Sequence, residues 1–315
     1  MPSTPRPKPR MFQSPEVEDD SVEVYDARGR VVRVPKSEWR EKVLLPTLEE
    51  AKSDLERLYG VIVAALTDGY ASEVLPYAHF LAERDPSPAR GAALVGAVHL
   101  ATNAVDEAET VLERSLANDG RDALVLANLA RVHEARGDDE RVGTLLWEAL
   151  TLDPNHGFTF GWFVDRARQK GGPEGTRLAC ETVAALPGSW RARLVRAGYS
   201  LAHGNFAEAS RYHDEALAMA PDPIPSDLLL QMSGDLGKAG QFETLVTRVR
   251  PRFRPDLHDF FVGANLMKAY LGLERRVDAE EVFDALCKEE RPDWHDRLEQ
   301  WRAMLGAVRP GAASA

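Results

Sequence analysis

The sequence predicts an all-α chain of about seven stacked helix–turn–helix units, preceded by a small β-hairpin and a short helix. Three observations carry this reading. From Leu55 onward the apolar spacing is purely helical. Turn-forming residues recur about every 34 positions from Gly69, and columns of small and bulky side chains keep the same phase behind them.

Residues 1–20 read as a tail, because Pro2, Pro5, Pro7, Pro9 and Pro15 deny it a helix or a ladder and Glu16, Glu18, Asp19 and Asp20 add charge. Val22, Val24 and Tyr25, then Val31, Val32 and Val34, flank Asp26-Ala27-Arg28-Gly29, the pattern of a β-hairpin. A two-stranded ribbon needs support, so it is expected to lie on something helical. The segment Ser37–Lys42 supplies a short helix whose Trp39 is expected to anchor the hairpin, which gives an N-terminal cap over 21–54.

The inter-helix turns fall at Gly69, Asn103, Gly137, Gly171, Gly204, Gly240 and Glu274. Glycine suits a helix end that needs a left-handed residue. Five residues later stands a mostly small column, Val74, Ala108, Val142, Thr176, Ala209, Leu245 and Ala279. A bulkier one follows at Ala78, Leu112, Leu146, Cys180, His213, Val249 and Phe283. Helix stops close the units at Pro86, Gly120, Pro154, Pro187-Gly188, Pro221 and Pro292. Unit four carries Gly171-Gly172-Pro173 and is expected to have a longer turn; Pro251 is expected to shorten the second helix of unit six. The stripe Trp294, Leu298, Trp301 and Leu305 predicts a capping helix over 293–305, with a frayed tail over 306–315.

A unit of this length, with small, bulky and small columns and then proline, resembles the tetratricopeptide repeat. The fullest copy is Leu126…Leu129-Ala130…His133…Gly137-Asp138-Asp139…Leu146…Ala149-Leu150…Asp153-Pro154, and a second is Gly204-Asn205-Phe206-Ala207-Glu208-Ala209…Ala216-Leu217…Pro221. The units span 55–292. The resemblance implies a right-handed superhelical solenoid whose first helices line a concave face, and a non-enzymatic scaffold or adaptor that binds a protein or an extended peptide there. Stacked units bury the apolar face that each leaves open alone.

Composition narrows the function classes. Fifty acidic against 39 basic residues give a net charge of −11, which argues against nucleic acid or anionic membrane as a general partner. The length of 315 residues would ordinarily suggest two compact domains, but a repeat array escapes that rule. Cys180 and Cys287 are too few and too far apart for a disulfide framework, and the basic start has no apolar stretch behind it. A reducing, cytoplasmic setting is expected, with no membrane span.

The search for chemistry returns no phosphate loop, dinucleotide fingerprint, nucleophile elbow or HExxH pair, so no cofactor, metal or catalytic residue is expected. Polar residues on the implied concave face concentrate in units three and four: Asn128, Arg131, Glu134, Trp162, Asp165 and Arg168. Asn265 and Lys268 add a fragment on unit seven. Two readings of this patch stay open. In one, Trp162 is a wall and Asn128 reads the backbone of a bound peptide. In the other, Arg131 with Glu134 and Asp165 with Arg168 pair along their helices, or Arg131 with Asp165 and Glu134 with Arg168 pair across units. The chaperone-tail binders of the family use lysine and asparagine where this chain has Tyr59 and Val63, so that activity is not implied. Arg248, Arg250, Arg252 and Arg254 form a basic run expected to pair with neighbouring carboxylates. An enzyme or enzyme subunit built on Glu134, Asp165 and Arg168 is one alternative. Another is self-assembly through the hairpin edge or the terminal cap, with the chain a monomer or weak homodimer.

Overall fold

The computed structural model describes residues 21–25 and 31–307, which divide into two compact units, Met1–Arg121 and Asp122–Ala315. The tail 1–20, the turn Asp26–Gly29 and the end beyond residue 307 lie outside the described residues.

In the first unit, β1 (Ser21–Tyr25) pairs antiparallel with β2 (Val31–Pro35), Glu23 opposite Arg33. The helix that follows is longer than the sequence suggests. It runs as α1 (Lys36–Trp39), a π-helical turn (Arg40–Leu44) and α2 (Leu45–Ala51) without a break. The Trp39 ring stacks on Tyr70 at 5.3 Å, in the turn of the first repeat. Its flat apolar ring docks the leading helix onto the repeat, while most of the hairpin side chains that Trp39 is expected to anchor lie outside the described residues. Leu44 and Leu48 complete that contact, both buried in the core of α3 (Leu55–Thr67) and α4 (Ala71–Ala82). The pair α5 (Pro88–Ala101) and α6 (Val105–Asp119) follows.

The second unit begins with α7 (Ala123–Ala135) and α8 (Asp139–Leu152), then α9 (Gly157–Ala184). Next come α10 (Trp190–Ala202) and α11 (Phe206–Met219), α12 (Ser226–Lys238) and the short α13 (Phe242–Val249). Pro251 sits in the 3-10 turn Arg250–Arg252 that ends α13. The array continues with α14 (Phe260–Gly272), α15 (Arg276–Cys287), the 3-10 turn Pro292–Trp294 and α16 (His295–Ala307). Helix α16 reaches two residues into the segment expected to fray. Its Leu298, Trp301 and Leu305 are buried in the same core as α14 and α15.

The columns behave as repeat positions should. Every residue of the bulky column, from Ala78 to Phe283, is buried; Arg252, in a normally small column, is half-exposed. Polar residues start several first helices: Asp54, Asp122 and Asp259 accept from N–H groups of the first turn, which would otherwise lack partners.

The turns share one geometry. Gly69 has φ +86°, and the N–H of Tyr70 donates to Ala65 O at 2.9 Å while that of Gly69 donates to Leu66 O at 3.2 Å. This is the left-handed helix end that satisfies the last carbonyls. The long-range member of that pair recurs from Ala104 to His99, Asp138 to His133, Asn205 to Ser200, Gln241 to Leu236 and Arg275 to Tyr270, all at 2.8–2.9 Å. Asn103 and Glu274 hold positive φ too, at 60° and 61°, without being glycine. A β-carbon there costs about 1–2 kcal/mol. Glu274→Gly is therefore expected to raise stability by about 1 kcal/mol, read as a higher urea midpoint. A lowered midpoint would show that the Glu274 side chain contributes more than its backbone costs.

Unit four departs from the pattern. Its helices run on as α9 with one non-helical residue, Gly172 (φ 59°, ψ −145°), rather than through the longer turn the sequence suggests. The left-handed residue is thus Gly172, not Gly171. The two halves of α9 meet so closely that a β-carbon on Gly175 would lie 2.2 Å from Ala167 O. Only glycine fits there, and this contact replaces a loop.

Candidate functional site

Asn128 is buried on α7; its Nδ2 donates to Leu124 O at 2.9 Å and its Oδ1 accepts from Arg131 Nη1 at 3.3 Å. The amide that would read a peptide backbone is thus engaged within its own helix. Glu134 is exposed one turn further on. On α9, Arg168 Nη2 donates to Asp165 Oδ1 at 2.8 Å in a pair more than half exposed on both sides. Of the ion pairs considered for this patch, this one within a helix forms, and those crossing between α7 and α9 do not among the described residues. Trp162 tilts against Phe158 at 5.6 Å between centroids, and Phe158 is 58% exposed. Far along the chain, Asn265 Nδ2 donates to Ser233 Oγ at 3.0 Å, tying α14 to α12, and Lys268 is exposed.

The basic run is largely self-satisfied. Arg248 reaches Asp214 on α11 at 2.9 Å, Arg254 reaches Asp256 at 3.0 Å, and Arg252 donates to the Arg248 carbonyl at 2.8 Å.

A second feature was not anticipated. A cavity of about 490 Å³ opens between α9, α10 and α11, entirely within the second compact unit. Its apolar lining comes from Pro173, Cys180, Val195, Tyr199 and Tyr212, and Arg168, Arg177, Arg196, Glu181 and Glu208 supply charge. Of the expected site residues only Arg168 reaches it. Glu181 takes Arg177 on one oxygen at 2.6 Å and Arg196 on the other at 3.2 Å. Glu208 accepts from Ser200 Oγ at 2.8 Å and from the Tyr212 hydroxyl at 3.3 Å. Arg196 and Arg211 flank the Tyr212 ring, each 4.4 Å from its centroid. Tyr199 is 57% exposed and its ring lies tilted against His203 at 4.2 Å. Burial pushes the Cys180 thiol up to about 11, so it is neutral at physiological pH and is not an activated nucleophile. The only sequence signal for this site was the Gly171-Gly172-Pro173 break, which sets where the second half of α9 starts.

A smaller cavity of about 280 Å³ is lined by Ser210, His213, Gln241 and Thr244. His213 is 1% exposed and neither ring nitrogen has a partner. His258 shows the alternative: its Nδ1 accepts from Arg254 N–H at 2.8 Å and its Nε2 lies 3.0 Å from Ile224 O. Among the described residues no cluster of three His, Cys, Asp or Glu could hold a metal, and no helix is long and apolar enough to cross a membrane.

No protein-family model matches the sequence, and no curated protein does. Solved structures do align with it. Yeast Tom70 aligns at 13% identity and TM-score 0.49 over 86% of this chain, which spans 58% of the Tom70 chain. A tetratricopeptide repeat protein from Parabacteroides merdae aligns at 15% identity and TM-score 0.36, over 80% of this chain and 98% of that one. PilF of Pseudomonas aeruginosa aligns at 18% identity and TM-score 0.33, over 82% and 99%. The assignment rests on the chain's own geometry. Helical hairpins in a phase close to 34 residues, with the same buried columns and a left-handed residue at every inter-helix turn, give the chain a tetratricopeptide-type helical-repeat fold.

Proposed function

We propose that the chain is a non-catalytic adaptor that holds a segment of a partner protein against α7 and α9. The observation that carries this is the Phe158–Trp162 pair, an aromatic surface left outside a core already closed by Phe160 and its neighbours. Aromatic side chains in such positions dominate binding energy in protein interfaces. Asp165 and Arg168 follow Trp162 along α9, and their exposed pair is worth at most about 1 kcal/mol, so a partner's charge exchanges into it cheaply; Arg131 and Glu134 on α7 would add further polar contacts in this reading. Asn128 would join through the Nδ2–H that its bond to Leu124 O leaves over. Asn265 and Lys268 would take a further stretch of the partner on α14. Cofactors have no role in this reading.

Affinity capture from the native host tests it, comparing the wild-type chain with Trp162→Ala/Glu134→Gln. Loss of one hot-spot aromatic costs about 2 kcal/mol, so recovery of the specific partner should fall roughly thirtyfold at limiting concentration. Unchanged recovery by a variant with wild-type circular dichroism removes the placement.

A further inference from the structure

We propose that the cavity between α9, α10 and α11 receives an aromatic side chain of a partner segment, with an adjacent aspartate or glutamate held at the arginine rim. This deepens the adaptor reading and rests on it for the existence of a partner.

Size and lining argue for the aromatic. A volume of about 490 Å³ lies within the roughly 300–1,000 Å³ of small-ligand sites, which combine apolar walls with a few convergent polar groups. Val195, Pro173 and Cys180 offer no hydrogen bond that an aliphatic or aromatic group would leave unmet. Tyr199 stands at the cavity with more than half its surface in water. A ring entering there gains offset or edge contact with it, worth about 0.5–1.5 kcal/mol beyond burial.

Charge selects the neighbour. Three guanidiniums, Arg168, Arg177 and Arg196, face two carboxylates, Glu181 and Glu208. Glu181 is divided between two of the arginines, and Glu208 is committed to Ser200, Tyr212 and, at 3.8 Å, Arg211. Arg177 is the best satisfied of the three, with Glu174 as a second partner at 2.6 Å. Among the described residues Arg168 has only the exposed Asp165, and Arg196 keeps the half-share of Glu181. An incoming carboxylate therefore meets uncompensated N–H donors at Arg168 and Arg196, where fork-shaped recognition is geometrically favoured. An incoming lysine or arginine would instead have to displace one of these guanidiniums from its carboxylate.

Blocked dipeptides test this directly. Acetyl-Phe-Glu-amide, acetyl-Phe-Gln-amide and acetyl-Ala-Glu-amide would be titrated into the ¹⁵N-labelled full chain and followed by amide chemical shifts. The first is expected to shift residues 176–181 and 195–200, with a Kd at least fivefold below those of the other two. Arg168→Gln/Arg196→Gln should bring the glutamate peptide to the level of the glutamine peptide and leave the latter unchanged. Val195→Trp, which fills the cavity, should abolish the shifts, and Arg196→Gln alone gives a milder variant if that substitution disturbs folding. Equal affinity for the three peptides, shifts elsewhere, or none would overturn the proposal. Neither this titration nor its variants use Trp162 or Glu134. A failed capture experiment therefore removes the adaptor surface with the cavity intact, and a failed titration does the reverse.

Discussion

Acidification from pH 6.5 to pH 4 is expected to remove about 3 kcal/mol of stability through one side chain, His213. Burial, reinforced by the nearby Arg248 guanidinium and opposed by Asp214, lowers its imidazole to about 4. Neither ring nitrogen is hydrogen-bonded, so only the Asp214 charge favours the protonated form, and burial with Arg248 outweighs it. The sign follows. Below pH 6.5 the unfolded chain takes up a proton that the folded chain refuses until about pH 4, so stability falls through that window and levels off beneath it. His99 and His156 are shifted down as well, chiefly by burial, so the measurement must be a difference between two proteins. Urea midpoints of wild type and His213→Leu should converge or cross at neutral pH and diverge by about 3 kcal/mol at pH 4. Leucine removes two buried polar atoms without leaving one orphaned, which makes it neutral or stabilising at pH 7. Parallel midpoints from pH 7.5 to 4 would show that His213 does not carry the acid sensitivity.

Phe260→Ala is expected to cost about 3–5 kcal/mol, the range for truncating a buried aromatic. Its ring is 2% exposed, 5.7 Å from Trp294 and 5.8 Å from Phe261, and Arg297 stands over it at 6.0 Å. Trp294 and Arg297 belong to the segment that covers the end of the array, so the cavity opens beneath α16. The loss should therefore be local first: earlier proteolysis between Cys287 and His295, and a red-shifted emission from Trp294 and Trp301, at denaturant concentrations where the rest of the array persists. Nearest-neighbour stacking allows such partial unfolding. A single unfolding transition displaced by less than about 1 kcal/mol would mean that the site collapses around the smaller side chain.

The architecture was legible because its constraints are local. A left-handed turn residue favours glycine, and five of the seven turns could be found by residue type; Asn103 and Glu274 were found only by phase. Unit four shows the limit. Two adjacent glycines both qualified, and the choice of Gly172 depends on the contact of Gly175 with Ala167, which no pattern in the chain encodes. The Trp39–Tyr70 stack escaped the sequence for a similar reason: the two residues lie 31 positions apart across a helix.

The candidate site was legible only in part. The exposure of Asp165 and Arg168 follows from their column position on a first helix, and Trp162 there is half-buried. The engagement of Asn128 by its own helix did not follow, since a buried amide finds the nearest carbonyl whatever its column. The cavity was missed because each of its walls is ordinary by itself. Tyr199, Tyr212, Val195 and Cys180 matter only where α9, α10 and α11 leave a gap.

The cavity also carries its own clock. Cys180 forms part of its wall, 2% exposed and protonated at neutral pH, so alkylation awaits the moments when α9 and α10 part. Its rate, separated from that of the half-buried Cys287 by mass spectrometry, reports the opening frequency of one inter-helix gap. A seated side chain would slow it, turning a buried thiol into a measure of residence time.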